Sequence, residues 1–123
     1  MADKKRTKRI NLAKKRKRVK SRLKIGTFPR LVVYRANSNI YAQIIDDING
    51  VTLVSASSLE ATMKDEFAKA ESKISVSSIV GKAIGEKAIA NKIEQVIFDR
   101  NGYKYHGRVK ALAEAARKTG LRF

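Results

Sequence analysis

The segment FDRNGYKYHGR, residues 98–108, concentrates side chains that could bind or transform a ligand. It contains the only histidine of the chain, together with two tyrosines, two glycines and three basic residues. A histidine can act as a general base, but that role needs a second group to orient its ring, and the sequence shows none. Aromatic rings among cations are more typical of surfaces that stack on bases and bind phosphates.

The segment is predicted to lie between a buried strand at 95–99 and an amphipathic helix at 107–119. Loops that leave the carboxyl ends of strands in α/β units are common ligand sites. Gly107 would begin the helix, whose unpaired N–H groups and positive dipole end favour an anion. Arg100 and Arg108 would add contacts to a phosphate.

Residues 103–106 are predicted to alternate if their backbone is extended. Tyr103 and Tyr105 would then point one way, and Lys104 and His106 the other, which separates stacking surfaces from cationic donors. A tyrosine that follows a strand can instead pack in the core, and this alternative stays open for both rings.

The chain of 123 residues has a formal net charge of +17, from 28 basic and 11 acidic residues. Residues 1–24 carry thirteen of the basic residues and one acidic residue. We therefore predict a basic RNA-binding arm at 1–26 and a single α/β RNA-binding domain at 27–123. The cations of the arm are Lys4, Lys5, Arg6, Lys8, Arg9, Lys14, Lys15, Arg16, Lys17, Arg18, Lys20, Arg22 and Lys24.

The arm is rich in helix formers but has no sustained apolar stripe, so we expect it to become helical when phosphates neutralise it. It contains no aromatic residue, which disfavours a membrane-surface role. The chain has no cysteine, no recognisable signal peptide and no apolar run long enough to span a membrane. We expect a cytoplasmic protein without a membrane, a cofactor or a small-molecule substrate as partner.

The predicted fold is α/β: a mixed sheet of a three-stranded antiparallel meander plus one parallel strand, two helices packed on it, and the basic N-terminal helical arm. Asn49-Gly50 is a hairpin signal. Residues 58–74 are predicted to be a loop with a short helix, beginning at a Ser57-x-x-Glu60 capping box. The remaining predicted elements are strands at 31–35, 39–46 and 51–57 and a helix at 76–91.

Two other classes of function are open at this point. A metal-dependent nuclease would use acidic residues near strand ends together with the histidine, namely Asp46, Asp47, Glu60, Asp99 and His106. Asp99 is more simply predicted to cap its turn or to pair with Arg100, and no metal is expected. An architectural DNA-binding protein would also use a basic arm, but no helix-turn-helix or zinc pattern is present.

Three segments resemble the bacterial form of large ribosomal subunit protein eighteen, a family that binds 5S ribosomal RNA. They are RLVVYRANSNIYAQIIDD at 30–47, VTLVSASSLE at 51–60 and VIFDRNGYKYHGRVKALAEAARKTGLRF at 96–123. The resemblance covers nearly the whole chain. Two departures are a short linker, IGTFPR, and a turn, ANSN, that lacks the basic or histidine residue often found there.

This resemblance implies a non-enzymatic protein that binds 5S rRNA and helps attach it to the large-subunit rRNA in the central protuberance, beside neighbouring 5S-binding ribosomal proteins. It implies RNA contacts through the arm and through two parts of the domain. The first part comprises Arg30, Arg35, Asn37, Ser38, Asn39 and Tyr41, and the second comprises Arg100, Tyr103, Lys104, Tyr105, His106, Gly107 and Arg108.

Overall fold

The computed structural model describes residues 13–14 and 28–123. Ala13 and Lys14 are helical and exposed. The other predicted contacts of the arm lie outside the described residues.

The sheet has the predicted mixed topology. Its strands follow the order β3-β2-β1-β4, with β1 antiparallel to β2, β2 antiparallel to β3, and β1 parallel to β4. Short polar turns explain the meander, because an antiparallel pair needs only a few connecting residues, whereas the parallel strand requires a long crossover. The four strands are β1 (Arg30–Arg35), β2 (Ile40–Asp46), β3 (Val51–Ser57) and β4 (Ile97–Asp99).

Residues 28–123 contain three α-helices, the two that were predicted to pack on the sheet and a short one within 58–74: α1 (Lys64–Lys69), α2 (Lys73–Ala90) and α3 (Gly107–Lys118). The α1 helix follows a short 3₁₀ turn and falls within the segment that was predicted to be a loop with a short helix.

The predicted capping box at Ser57 is wrong. Ser57 pairs with Tyr41 in the sheet, and its hydroxyl accepts a hydrogen bond from the backbone N–H of Leu59 at 3.3 Å. The cap that the structure contains is Ser72, whose hydroxyl accepts from the N–H of Ser75 at 3.2 Å. The α2 helix begins three residues earlier than its apolar pattern indicated, because Lys73 and Ser75 are polar and Ile74 is an exposed residue outside the apolar stripe.

The core lies between the sheet and the helices α2 and α3. Leu31 and Val33 of β1 and Ile44 of β2 are fully buried on the covered face, against Ile84 of α2 and Leu112 of α3. Burial alternates along β2 as the sequence predicts, because successive side chains of a strand point to opposite faces, whereas in β1 Val32 is buried as well.

The two helices approach closely where α2 has glycines. A Cβ atom added at Gly81 would collide with the backbone carbonyl of Leu112 in α3. Val109, Leu112 and Ala116 of α3 belong to the same core as the strand residues, and α3 begins where the segment 98–108, which leaves the sheet after β4, ends. None of the helices in the described part is long and apolar enough to cross a membrane.

Candidate nucleic-acid interface

The turn between β1 and β2 and the loop before α3 meet at one end of the domain. The guanidinium of Arg108 donates a hydrogen bond from Nη1 to the carbonyl oxygen of Ala36, at 2.9 Å. The turn is closed by the N–H of Ala36, which donates to the carbonyl oxygen of Asn39 at 2.9 Å. Two chain segments that were predicted separately to bind RNA therefore form one surface.

Tyr103 links these two segments from the core side of the surface. Its hydroxyl accepts a hydrogen bond from the backbone N–H of Arg35 at 3.2 Å and lies 3.4 Å from the carbonyl oxygen of the same residue. The Arg35 guanidinium carbon lies 4.8 Å from the centroid of the Tyr103 ring. Because the tyrosine is only 9% exposed, it supports the surface from within the core and does not present a free stacking face.

The predicted alternation of residues 103–106 is wrong. The N–H of Tyr103 donates to the carbonyl of Arg100 at 3.0 Å, and the N–H of His106 donates to that of Lys104 at 2.8 Å. These turns bend the backbone, so the two-residue period of a strand does not apply to it. Tyr103 is consequently buried, whereas Tyr105 is 39% exposed.

Arg35 and Arg108 bring two positive charges close enough to repel each other. Partial burial, followed by the neighbouring charge of Arg35, lowers the pKa of Arg108 from its ordinary value. Within the described residues, neither guanidinium forms an ion pair with a carboxylate. Like charges held together without a counterion destabilise the free protein and are relieved when an anion binds between them.

The N-terminal end of α3 adds to this positive surface. His106 occupies the cap position, but its side chain makes no capping hydrogen bond, and the first turn of the helix contains no acidic residue. Gly107 has a φ of +56°, and no atom lies within 4 Å of the position that a Cβ would occupy there. The unpaired N–H groups of the first turn are thus open to a ligand oxygen. Lys104 and His106 are exposed beside them.

The exposed part of the β1–β2 turn can supply uncharged donors and acceptors. Asn37 and Ser38 are exposed. Asn39 is partly buried, and its amide oxygen accepts a hydrogen bond from the hydroxyl of Ser58 at 3.0 Å. The turn is therefore anchored at Asn39 and free to bind a ligand at its tip.

Arg30 is held inside the protein. It forms ion pairs with Asp47 at 3.0 Å and with Asp99 at 2.6 Å, and its side chain is 13% exposed. The hydrogen bonds that Arg30 donates to Asp47, together with the one that it donates to Asp99, raise the pKa of Arg30 against the opposing effect of burial. The positive charge of Arg30 is thus already paired with two carboxylates of the protein.

Besides the surface around Arg35 and Arg108, two groups of aromatic side chains are partly exposed. Tyr41 lies opposite Tyr34 in the β1–β2 register, on the sheet face that α2 and α3 do not cover, and Tyr34 is 39% exposed. Tyr34 was missed, although its alternation with Val33 would have assigned it to this face. Tyr105 packs edge-on against Phe98, with ring centroids 6.1 Å apart.

Arg117, the second residue missed, lies beside Tyr105. Its Nη1 donates to the Tyr105 hydroxyl at 2.9 Å, and its guanidinium carbon is 4.5 Å from the centroid of the Phe123 ring. Nothing in the sequence connected Arg117 with Tyr105, because their contact depends on how α3 packs beside the loop.

The acidic residues of the nuclease alternative are used in local structure. Asp46 accepts hydrogen bonds from its own turn, including one from the Asn49 side chain at 2.7 Å. Glu60 forms an ion pair with Lys87 at 2.7 Å. Asp99 caps its turn as predicted, but its ion-pair partner is Arg30 rather than Arg100. Within residues 13–14 and 28–123, no three His, Cys, Asp or Glu side chains are grouped so that they could hold a metal ion.

Comparison with known proteins gives the same family as the sequence resemblance. A family model described as ribosomal L18 of archaea, bacteria, mitochondria and chloroplasts matches residues 4–123. A relative from Thermomicrobium roseum, named large ribosomal subunit protein uL18, is 53% identical over 113 residues, which cover 89% of this chain and 91% of the relative.

Relatives with the same name occur in Listeria monocytogenes and Bacillus cereus. They are 53% and 50% identical over 116 residues, and each alignment covers 92% of this chain and 94% of the relative. A match of this extent and identity confirms the resemblance stated from the sequence. The chain belongs to the ribosomal L18 family.

Proposed function

We propose that this chain is a structural protein of the large ribosomal subunit, located in the cytoplasm, and that it binds 5S rRNA. It helps to attach the 5S rRNA to the large-subunit rRNA in the central protuberance, beside neighbouring 5S-binding ribosomal proteins, and it catalyses no reaction. Family membership supports the ribosomal role. The choice of 5S rRNA rests on the resemblance carried by residues 96–123.

The observation that carries an RNA-binding role in the domain is the junction of Arg35 and Arg108. Both arginines contact the same junction, Arg108 through the carbonyl of Ala36 and Arg35 over the ring of Tyr103, and neither has a carboxylate partner among the described residues. A phosphate group would relieve their repulsion and accept hydrogen bonds from both, because guanidinium groups bind phosphate through parallel N–H donors.

The other proposed RNA contacts are of three kinds: cations, uncharged hydrogen-bonding groups and aromatic rings. The arm at 1–26 supplies cations for phosphates, and the domain at 27–123 supplies shape and polar groups. Asn37, Ser38 and His106 can hydrogen-bond to phosphate or 2′-OH groups. Aromatic surface for unpaired bases is available at Tyr34, Tyr41 and Tyr105, and further cations are Arg100, Lys104 and Arg117.

The test of this function is selective binding by the purified full chain. We expect it to bind 5S rRNA more tightly than a generic RNA duplex or a DNA duplex of equal length. Contact with about six to ten phosphates gives a slope on the order of −4 to −9 in a plot of log affinity against log salt. Crosslinking in cells should recover one short ribosomal RNA.

The competing functions make different predictions in the same assays. Equal affinity for DNA would favour an architectural DNA-binding protein, and magnesium-dependent cleavage of RNA would favour a nuclease. Deleting residues 1–24 should weaken RNA binding and flatten the salt slope while the domain keeps its unfolding midpoint. A full-length chain whose affinity hardly changes with salt would refute the proposal.

A further inference from the structure

A carboxylate without exposed surface lies at the start of the proposed RNA-binding loop. Asp99 is the last residue of β4, and both of its oxygens accept hydrogen bonds. Oδ1 accepts from the backbone N–H of Asn101 at 2.8 Å, and Oδ2 accepts from Nη1 of Arg30 at 2.6 Å. A buried carboxylate is retained at little cost only when it is paired in this way.

The other edge of the Arg30 guanidinium binds a second carboxylate. Its Nε and Nη2 donate to the two oxygens of Asp47, each at 3.0 Å. Asp47 is 17 residues from Arg30 in the chain, and Asp99 is 69 residues away. One rigid guanidinium thus joins β1, the β2–β3 turn and the beginning of the loop.

The turn that Asp99 holds has an unusual backbone. Asn101 has a φ of +56° and Gly102 has a φ of +81°. A non-glycine residue persists in the left-handed region where the surrounding structure holds it, and the hydrogen bond from Asn101 to Asp99 is such a restraint. The next residue is Tyr103, which contacts Arg35 through its hydroxyl and its ring. A change in the backbone conformation of this turn would therefore displace the junction of Arg35 and Arg108.

We propose that Asp99 and Arg30 act as a clamp that positions the loop for RNA, and that Arg30 is a positioning residue rather than an RNA contact. This inference rests on the proposed function, because it concerns the same binding surface. The charge of Asp99 makes it possible to distinguish a residue that positions the loop from one that acts on RNA through its charge. Asp99 is an anion, so charge alone predicts that its neutralisation strengthens binding to RNA, whereas positioning predicts that it weakens binding.

The decisive comparison is between Asp99→Asn and Asp47→Asn in the full chain. Both substitutions remove one negative charge from the same arginine, and both replace two acceptor oxygens with one. In Asp99→Asn one of the two oxygen positions becomes an NH2 donor that faces either the Asn101 N–H or the Arg30 guanidinium, so one of the two hydrogen bonds is lost and the clamp is broken. In Asp47→Asn the link from Arg30 to the loop remains.

We expect Asp99→Asn to weaken binding to 5S rRNA about tenfold, as for the loss of one hydrogen bond to a charged group, with less weakening for a generic duplex. Asp47→Asn should bind 5S rRNA at least as tightly as the wild type. Arg30→Lys, which keeps the charge but loses the planar fork, should weaken 5S binding as Asp99→Asn does. Each variant is measured where its circular dichroism shows it fully folded.

The same variants are compared without RNA by hydrogen exchange at the amides of Asn101 and Tyr103. We expect exchange at these amides to be about tenfold faster in Asp99→Asn than in Asp47→Asn. Because this measurement uses no RNA, it tests the clamp independently of the proposed function. A wild type without preference for 5S rRNA would overturn the proposed function but not the clamp. If Asp99→Asn does not fold, Arg30→Lys takes its place in both assays. Equal exchange and equal affinity in the two aspartate variants would overturn the clamp.

Discussion

The hydroxyl of Tyr103 accepts a hydrogen bond from the backbone N–H of Arg35 at 3.2 Å, and the Arg35 guanidinium lies over the ring of the same tyrosine. One side chain from the loop therefore fixes both the backbone and the cation of the strand end opposite. This relationship turns two separate stretches of sequence into a single surface, and it gives Tyr103 a supporting role under that surface.

Replacing Tyr103 with Phe should destabilise the fold by about 1 kcal/mol, because the Arg35 N–H loses its buried partner. The free energy of unfolding in urea measures this loss. Tyr105→Phe is the matched control, since its hydroxyl binds Arg117 at the surface, where water can replace it. Equal losses in the two variants would contradict the supporting role of Tyr103.

Arg35→Gln and Arg108→Gln should each weaken RNA binding and reduce the magnitude of the salt slope by about 0.9, as expected for one phosphate contact each. Affinities measured across a range of salt concentrations give the slopes. Lys82→Gln removes the same charge from an α2 side chain that is 68% exposed, and it should leave the slope unchanged. A slope that falls equally in the Lys82 variant would mean that only net charge matters.

Gly81→Ala should destabilise the domain by about 1–3 kcal/mol, although alanine favours helix, because the added methyl meets the backbone carbonyl of Leu112. Gly85→Ala should cost less, since its methyl would meet mainly the side chain of Thr119, which can move away by giving up its hydrogen bond to the Ala116 carbonyl, whereas a backbone carbonyl cannot. Urea unfolding of both variants tests the comparison. A smaller loss at Gly81 than at Gly85 would show that α3 moves away easily.

The stability contributed by Asp46 should depend on pH. The hydrogen bond from the Asn49 side chain, with those from the backbone of Asn49 and Ile48, lowers the pKa of the Asp46 carboxyl in the folded state. Its contribution is therefore complete above the unfolded pKa, about 4, and is lost as the pH falls through the lower folded value. The stability difference between the wild type and Asp46→Asn should shrink between pH 6 and pH 3, measured by urea unfolding. A constant difference would contradict the assignment.

Local patterns in the sequence predicted the four strands, the two long helices and the mixed arrangement of the sheet. Alternation predicted which face of β2 is buried, and the turn before Val51 was predicted from Asn49-Gly50, where Gly50 has a φ of +65°. The serine that caps α2 was not found, and Ser57 was wrongly predicted to cap a short helix within 58–74, because serines along the chain offer the same hydroxyl. Only the pairing of Ser57 in the sheet excludes it as a cap.

The charge of the arm, the basic and aromatic loop and the mixed sheet follow from residue types and periodicity, which are properties of neighbours along the chain. The role of each side chain in the loop depended on partners far away in sequence. Arg30 contacts Asp99, and Tyr103 contacts Arg35, only because β1 and β4 pair in the sheet. Burial and ion pairing are set by distances between elements, so tertiary structure decided which loop residues support the surface and which can face a ligand.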